Sequence, residues 1–203
     1  GMPKWNQETG RAAVIKVVGL GSSTWGGEVE HDQYVSAAVD WPARLKGIET
    51  NEAFGRSVSL NKNGLILAVG APLWNDAAGA PNSFLWDVGR VRVLHAPVTP
   101  GTTGAWDGAG TDVDIYGHNE VPENIGESRF GYSVSLDDNG TTLAIGAPRW
   151  GTDFANPSGP NDEPARGRAY VYDVGGSGAT KLLEKVGEAQ QEWFGVAVSV
   201  SAD

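Results

Sequence analysis

The chain has no cysteine among its 203 residues. Disulfide staples and thiolate metal centres are therefore excluded. Methionine occurs once, and no stretch approaches the roughly 18 consecutive apolar residues that a membrane helix needs, so no membrane insertion is expected. Basic residues are scarce: 15 Lys and Arg face 25 Asp and Glu, giving a formal charge of −10 and a pI near 4.7. Binding to nucleic acid needs clustered Lys and Arg to neutralise phosphates, so no such partner is expected. Docking to an anionic membrane surface is disfavoured on the same ground, and the acidity reads as a solubility device.

Recognisable catalytic patterns are also missing. The three histidines, His31, His95 and His118, fall in separate segments without ligand-like spacing. There is no Gly-x-Ser-x-Gly, no Walker loop and no His-Glu-x-x-His. Carboxylates are scattered, and no spacing singles out an acid/base pair. Nothing in these residues points to an enzyme.

What the chain does have is glycine, proline and repetition. Its 29 glycines and 11 prolines are spread throughout, too many for a helical bundle and suited to short strands joined by turns. Eight tryptophans supply large flat side chains for packing between sheets. Phe54-Gly55-Arg56-Ser57-Val58-Ser59-Leu60 recurs as Phe130-Gly131-Tyr132-Ser133-Val134-Ser135-Leu136, and more loosely as Phe194-Gly195-Val196-Ala197-Val198-Ser199-Val200, at spacings of 76 and 64 residues. A second element, Leu67-Ala68-Val69-Gly70-Ala71-Pro72-Leu73-Trp74, matches Leu143-Ala144-Ile145-Gly146-Ala147-Pro148-Arg149-Trp150, with its tail echoed at Pro3-Lys4-Trp5. A third runs Gly10-Arg11, Gly89-Arg90 and Gly167-Arg168, each opening an apolar run.

These elements read as strands. Residues 54–60 and 65–70 are apolar, small or β-branched without a helical period. Between the first two strands of each copy lie Lys62-Asn63-Gly64 and Asp138-Asn139-Gly140, and Asn-Gly predicts a tight type I′ hairpin with two positive φ angles. Ala-Pro closes the second strand. A third strand is predicted at 90–95 and 168–173, and a weaker fourth near 112–117 and 181–186. The unit is a four-stranded antiparallel meander, too small and Gly-rich to bury both faces alone, so it is expected to stack on copies of itself.

Phe-Gly followed by Gly-Ala-Pro resembles the FG-GAP repeat of integrin α-subunit head propellers and of bacterial and algal extracellular proteins. The resemblance covers nearly the whole chain. It implies an all-β fold of β-propeller blades and an extracellular or cell-surface setting. In the phase of that repeat, residues 3–48 hold a half blade (strands three and four), 54–120 and 130–190 are whole blades, and 194–203 give the first strand of a further blade. That makes about 2.75 blades, fewer than the roughly 4–8 of a closed ring. An incomplete propeller segment is expected, either a piece of a longer gene product, favoured because the ends fall inside motifs, or one of several copies that assemble a ring. Gly1-Met2 resembles an expression scar, and nothing after it resembles a signal peptide. Open blade faces and the edge at residues 10–18 predict self-association.

The resemblance also implies a calcium loop in the first hairpin. Hard cations need 6–8 oxygen ligands, whereas Asn61-Lys62-Asn63-Gly64 and Asp137-Asp138-Asn139-Gly140 are short, and Lys62 is cationic. Calcium is disfavoured there, and no other cofactor is expected. The loops after Gly-Ala-Pro are the better place for function, because binding residues gather on loops held by a rigid scaffold. The loop at 152–163 carries Asp153, Asp162 and Glu163 as weak metal candidates, along with Phe154; its equivalent at 75–88 carries Asp76 and Asp87 with the apolar Phe84 and Trp86. Phe84, Trp86 and Phe154 are candidate contact residues. Asn139-Gly140-Thr141 fits a glycosylation sequon, although the turn already accounts for it. Trp5, Trp74 and Trp150 share one repeat position and read as packing, while Trp25, Trp41, Trp86, Trp106 and Trp193 include candidates for stacking on sugar rings. The expected function is a non-enzymatic binding, adhesion or scaffold segment with a protein or glycan ligand. The alternative is the propeller portion of a hydrolase or lyase whose catalytic residues lie elsewhere.

Overall fold

The structure, a computed structural model, describes residues 47–49, 51–75, 87–96, 111–117, 127–151 and 165–201. These residues form eight strands and almost no helix: β1 (Ser57–Leu60), β2 (Ile66–Ala71), β3 (Arg90–His95), β4 (Asp112–Tyr116), β5 (Ser133–Leu136), β6 (Thr142–Ala147), β7 (Arg168–Asp173) and β8 (Thr180–Val186). They pair as two four-stranded antiparallel meanders, β1-β2-β3-β4 and β5-β6-β7-β8. The two are in the same internal register: Ser57 faces Gly70 and Leu60 faces Leu67, as Ser133 faces Gly146 and Leu136 faces Leu143. Of the segment 3–48, only Gly47 and Ile48 are described.

β2 and β6 are buried on both faces, which explains why Leu-Ala-Val-Gly-Ala and Leu-Ala-Ile-Gly-Ala run without polar alternation. One core lies between the sheets. Ala68, Val91, Val93, Val113 and Ile115 from the first meet Val134, Leu136, Leu143, Ile145, Tyr170 and Tyr172 from the second. Phe130 sits in this layer, edge-on to Tyr170 with ring centroids 5.2 Å apart. A second cluster, Phe54, Leu67, Val69, Trp74 and Leu94, occupies the opposite face of the first sheet.

The junction between the sheets depends on glycine. A Cβ on Gly70 would run into the carbonyl oxygen of Gly131, and one on Gly131 would lie 2.7 Å from the Arg90 carbonyl oxygen. Gly131 also has φ +85°, a conformation glycine adopts without steric cost. Around this contact, Phe130 N–H donates to Val88 O at 3.0 Å, Ser57 Oγ–H to Gly131 O at 2.8 Å, and Leu136 N–H to Ser59 Oγ at 2.9 Å. The same set recurs one copy later. Phe194 N–H donates to Arg166 O at 3.0 Å, Ser133 Oγ–H to Gly195 O at 2.8 Å, and Val200 N–H to Ser135 Oγ at 3.1 Å. A Cβ on Gly146 would strike Gly195 O.

Two local expectations need correction. The strands do not begin at Phe54 and Phe130: Gly55 and Gly131 have φ of +89° and +85°, and Arg56 and Tyr132 donate back to Ala53 and Arg129, so Phe-Gly is a turn before a four-residue strand. The hairpins are not type I′ either, because positive φ occurs at Gly64 and Gly140 and not at the preceding asparagines. The loops are wider, with Asn61 N–H bonded to Ile66 O and Gly64 N–H to Asn61 O, because the side chain of Asn61 or Asp137 satisfies the amides a shorter turn would pair. Phe194 makes an isolated parallel bridge to Gly167, as Phe130 does to Gly89.

Candidate functional site

Asp153, Asp162, Glu163, Phe84, Trp86 and Phe154 lie outside the described residues, as do His31, His118, Trp25, Trp41 and Trp106. The stems of both candidate loops are described. Where the first leaves β2 and returns to β3, Gly89 N–H donates to Trp74 O at 3.0 Å and Asp87 N–H to Asn75 Oδ1 at 2.7 Å. Gly167 N–H donates to Trp150 O at 3.1 Å at the equivalent place in the second sheet. Both loops therefore spring from matching, pinned positions at one end of the sheets.

Charged side chains gather beneath these stems. Arg90, the arginine of Gly89-Arg90, is fully buried and donates to the equally buried Glu52 at 2.9 Å and to Asp114 at 3.2 Å. Asp114 is also held by Arg92 through two bonds of 2.9 Å. Burial opposes the charge on Arg92, but its bonds and proximity to Asp114 outweigh this and raise its pKa. Glu52 Oε1 accepts from Ile48 N–H at 2.6 Å, so the carboxylate is satisfied on both oxygens. In the second sheet, Arg168 lies 3.5 Å from the centroid of Trp150 and pairs with Glu184 at 3.3 Å. Ser128 replaces Glu52 there and donates to Val88 O.

A second charged group bridges the sheets. Arg129 approaches Asp87 at 3.6 Å, and Arg149 pairs with Glu127 at 2.9 Å. Burial pushes the Asp87 carboxyl above its ordinary value, against the pull of Arg129 and Arg149. Asp87, Glu127 and Arg129 have φ of +52°, +57° and +53°. Such angles are sparsely populated by non-glycine residues and hold only where surroundings enforce them.

At the opposite end, an open cleft of about 420 Å³ lies between β4 and the β7–β8 hairpin, lined among others by Asp112, Asp114, Tyr172, Ser177 and Lys181. Its volume falls within the range of small-ligand sites, but Lys181 is engaged by Glu184 at 2.8 Å and Asp114 by two arginines. At the hairpins, Asn61 Oδ1 accepts from Leu65 and Ile66 N–H, and Asp137 accepts from Thr141 and Thr142 N–H and the Thr141 hydroxyl. No group of three or more His, Cys, Asp or Glu suited to a metal occurs among the described residues. Trp74 is buried, with its ring 4.9 Å from Tyr116, whereas Trp193 is exposed.

The recurring Gly-Arg pair was a visible signal for the buried Arg90 and the half-buried Arg168. Their partners were not visible, because the position two before Phe-Gly is Glu52, Ser128 and Glu192 in the three copies. A scan of protein-family models finds no match to the chain, and no curated protein matches it.

Proposed function

We propose that the chain is a segment of an extracellular FG-GAP β-propeller that binds a protein or glycan through the loops at 75–88 and 152–163 and performs no catalysis. The observation that carries this reading is the junction between the sheets, whose glycine contact and three hydrogen bonds recur one copy later at Phe194–Val200. A unit that repeats its own interface in this way builds an array, and an array with short edges and loops at one end is the propeller solution. Both long loops leave from equivalent stems, so each blade would present one to the same side. Rigid stems lower the ordering cost of binding.

The test is an array of glycans and extracellular-matrix proteins probed with the chain and with variants in which either loop is replaced by a Gly-Ser linker. The expected result is binding that disappears with loop replacement while thermal unfolding is unchanged. Binding that survives replacement of both loops, or none by the unmodified chain, contradicts the reading.

A further inference from the structure

The β5–β6 hairpin carries Asn139-Gly140-Thr141, the one Asn-x-Ser/Thr triplet of the chain without proline at its centre. The other, Asn156-Pro157-Ser158, lies in the 152–163 loop and is barred by its proline. A turn-forming role would leave a mark on the backbone or the side chain of Asn139, and neither carries one. Its φ is not positive, whereas that of Gly140 is +76°. Asp137 takes the N–H groups of Thr141 and Thr142, at 2.7 and 2.9 Å. In the first hairpin the equivalent Asn63 does serve its turn, accepting from Leu65 N–H at 2.9 Å. The Asn139 side chain is exposed at the tip and has no hydrogen-bond partner among the described residues.

Neighbouring contacts fix the main chain of the tip and leave this amide group free. Asn61 Nδ2 donates to Asn139 O at 3.3 Å, and Lys62 N–H donates to Asp138 O at 3.2 Å. Thr141 is exposed too, and its hydroxyl donates to Asp137 Oδ2 at 3.2 Å, longer than an ordinary O–H···O bond. The first hairpin has Leu65 at this position, packed against the cluster of Phe54 and Leu67. One hairpin thus gives the position to the core, and the other gives it to the surface.

We infer that Asn139 is an acceptor for an N-linked glycan. The donor is a lipid-pyrophosphate-linked oligosaccharide. Asn139 Nδ2 bonds to its anomeric carbon, the C–O bond to pyrophosphate breaks, one Nδ2 proton is lost, and the lipid pyrophosphate leaves. The Thr141 hydroxyl completes the triplet that marks the acceptor. Because β2 and β6 each run from a hairpin to a long loop, the sugar stands at the end of the sheets opposite the stems of 75–88 and 152–163. It therefore leaves those loops open. The inference rests on the extracellular reading above, since such transfer acts on chains entering a secretory compartment.

The experiment translates the chain behind a secretion signal in the presence of endoplasmic-reticulum microsomes and reads the protease-protected product by intact mass. The expected result is one oligosaccharide of hexose and N-acetylhexosamine per chain, kept by Thr141→Ser and lost in Asn139→Gln and Thr141→Ala. An endoglycosidase should remove it from the native chain, and thermal midpoints before and after removal should agree within about 2 °C, as for a surface change. Protected chain without sugar, sugar that survives Asn139→Gln, or sugar released only after unfolding overturns the acceptor. The ligand array separates the two levels. A chain that carries the sugar but binds nothing keeps the acceptor and loses the loop reading, and one that binds through its loops but takes no sugar loses the acceptor alone.

Discussion

At the residue scale, two kinds of side chain decide the fold: those that are absent and those that are charged and buried. Gly70 has no room for a Cβ against Gly131 O and Ser57 Oγ, while Gly178 has nothing within 4 Å of the same added atom. Gly70→Ala is expected to cost about 2–3 kcal/mol by overpacking, and Gly178→Ala to stay within about 0.5 kcal/mol, as read from urea denaturation. Arg90 and Glu52 form a fully buried pair. Removing one partner strands a charge, so Arg90→Ala is expected to cost about 3–5 kcal/mol, whereas the double replacement Glu52→Leu with Arg90→Met should recover much of that loss. Equal losses in the single and double variants would show that the pair itself holds the sheet. The recurrence of Phe-Gly and Gly-Ala was plain in the sequence, but that the glycine of one copy rests on the glycine of another was not. That contact is long-range, and only the folded backbone brings it about.

At the scale of elements, β3 and β7 have the bounds their apolar runs predict, and β4 and β8 lie close to theirs. The hairpins were misread for a reason that lies one residue earlier. Asn61 and Asp137 bond the loop amides through their side chains, and that local pairing competes with the type I′ geometry that Asn-Gly favours. Asp137 carries this further. Burial works against its charge, but the N–H groups of Thr142 and Thr141, the Thr141 hydroxyl and the Gly140 N–H together hold its pKa below the ordinary 3.8. A carboxylate with a depressed folded pKa stabilises the fold fully above its unfolded value, and the contribution fades as pH falls through the folded one. Asp137→Asn keeps one acceptor but cannot titrate. The stability gap between the unmodified chain and Asp137→Asn should therefore be constant at neutral pH and shrink as pH drops below 3.8. Urea midpoints for both proteins across the acid range check this, and a gap that widens in acid would contradict it.

At the scale of the whole molecule, the all-β class and the four-stranded meander were legible because three motifs keep their order along the chain. The candidate binding residues were named from the composition of two loops, whose stems are closed by Gly89 N–H on Trp74 O and Gly167 N–H on Trp150 O. The edge strand β8 carries Lys181 and Lys185, charges of the kind that keep an exposed edge from pairing indiscriminately. Among the contacts that join the two sheets at their far end is an ion pair between equivalent hairpin positions, Lys62 and Asp138, 2.9 Å apart. As an exposed pair it contributes little to stability, but it reports directly on whether successive copies stack. Zero-length carbodiimide cross-linking of dilute chain, read by peptide mass spectrometry, should join Lys62 to Asp138 along with the local pairs Lys181–Glu184 and Lys185–Glu188. Linkage of both local pairs without any between Lys62 and Asp138 would contradict the stack.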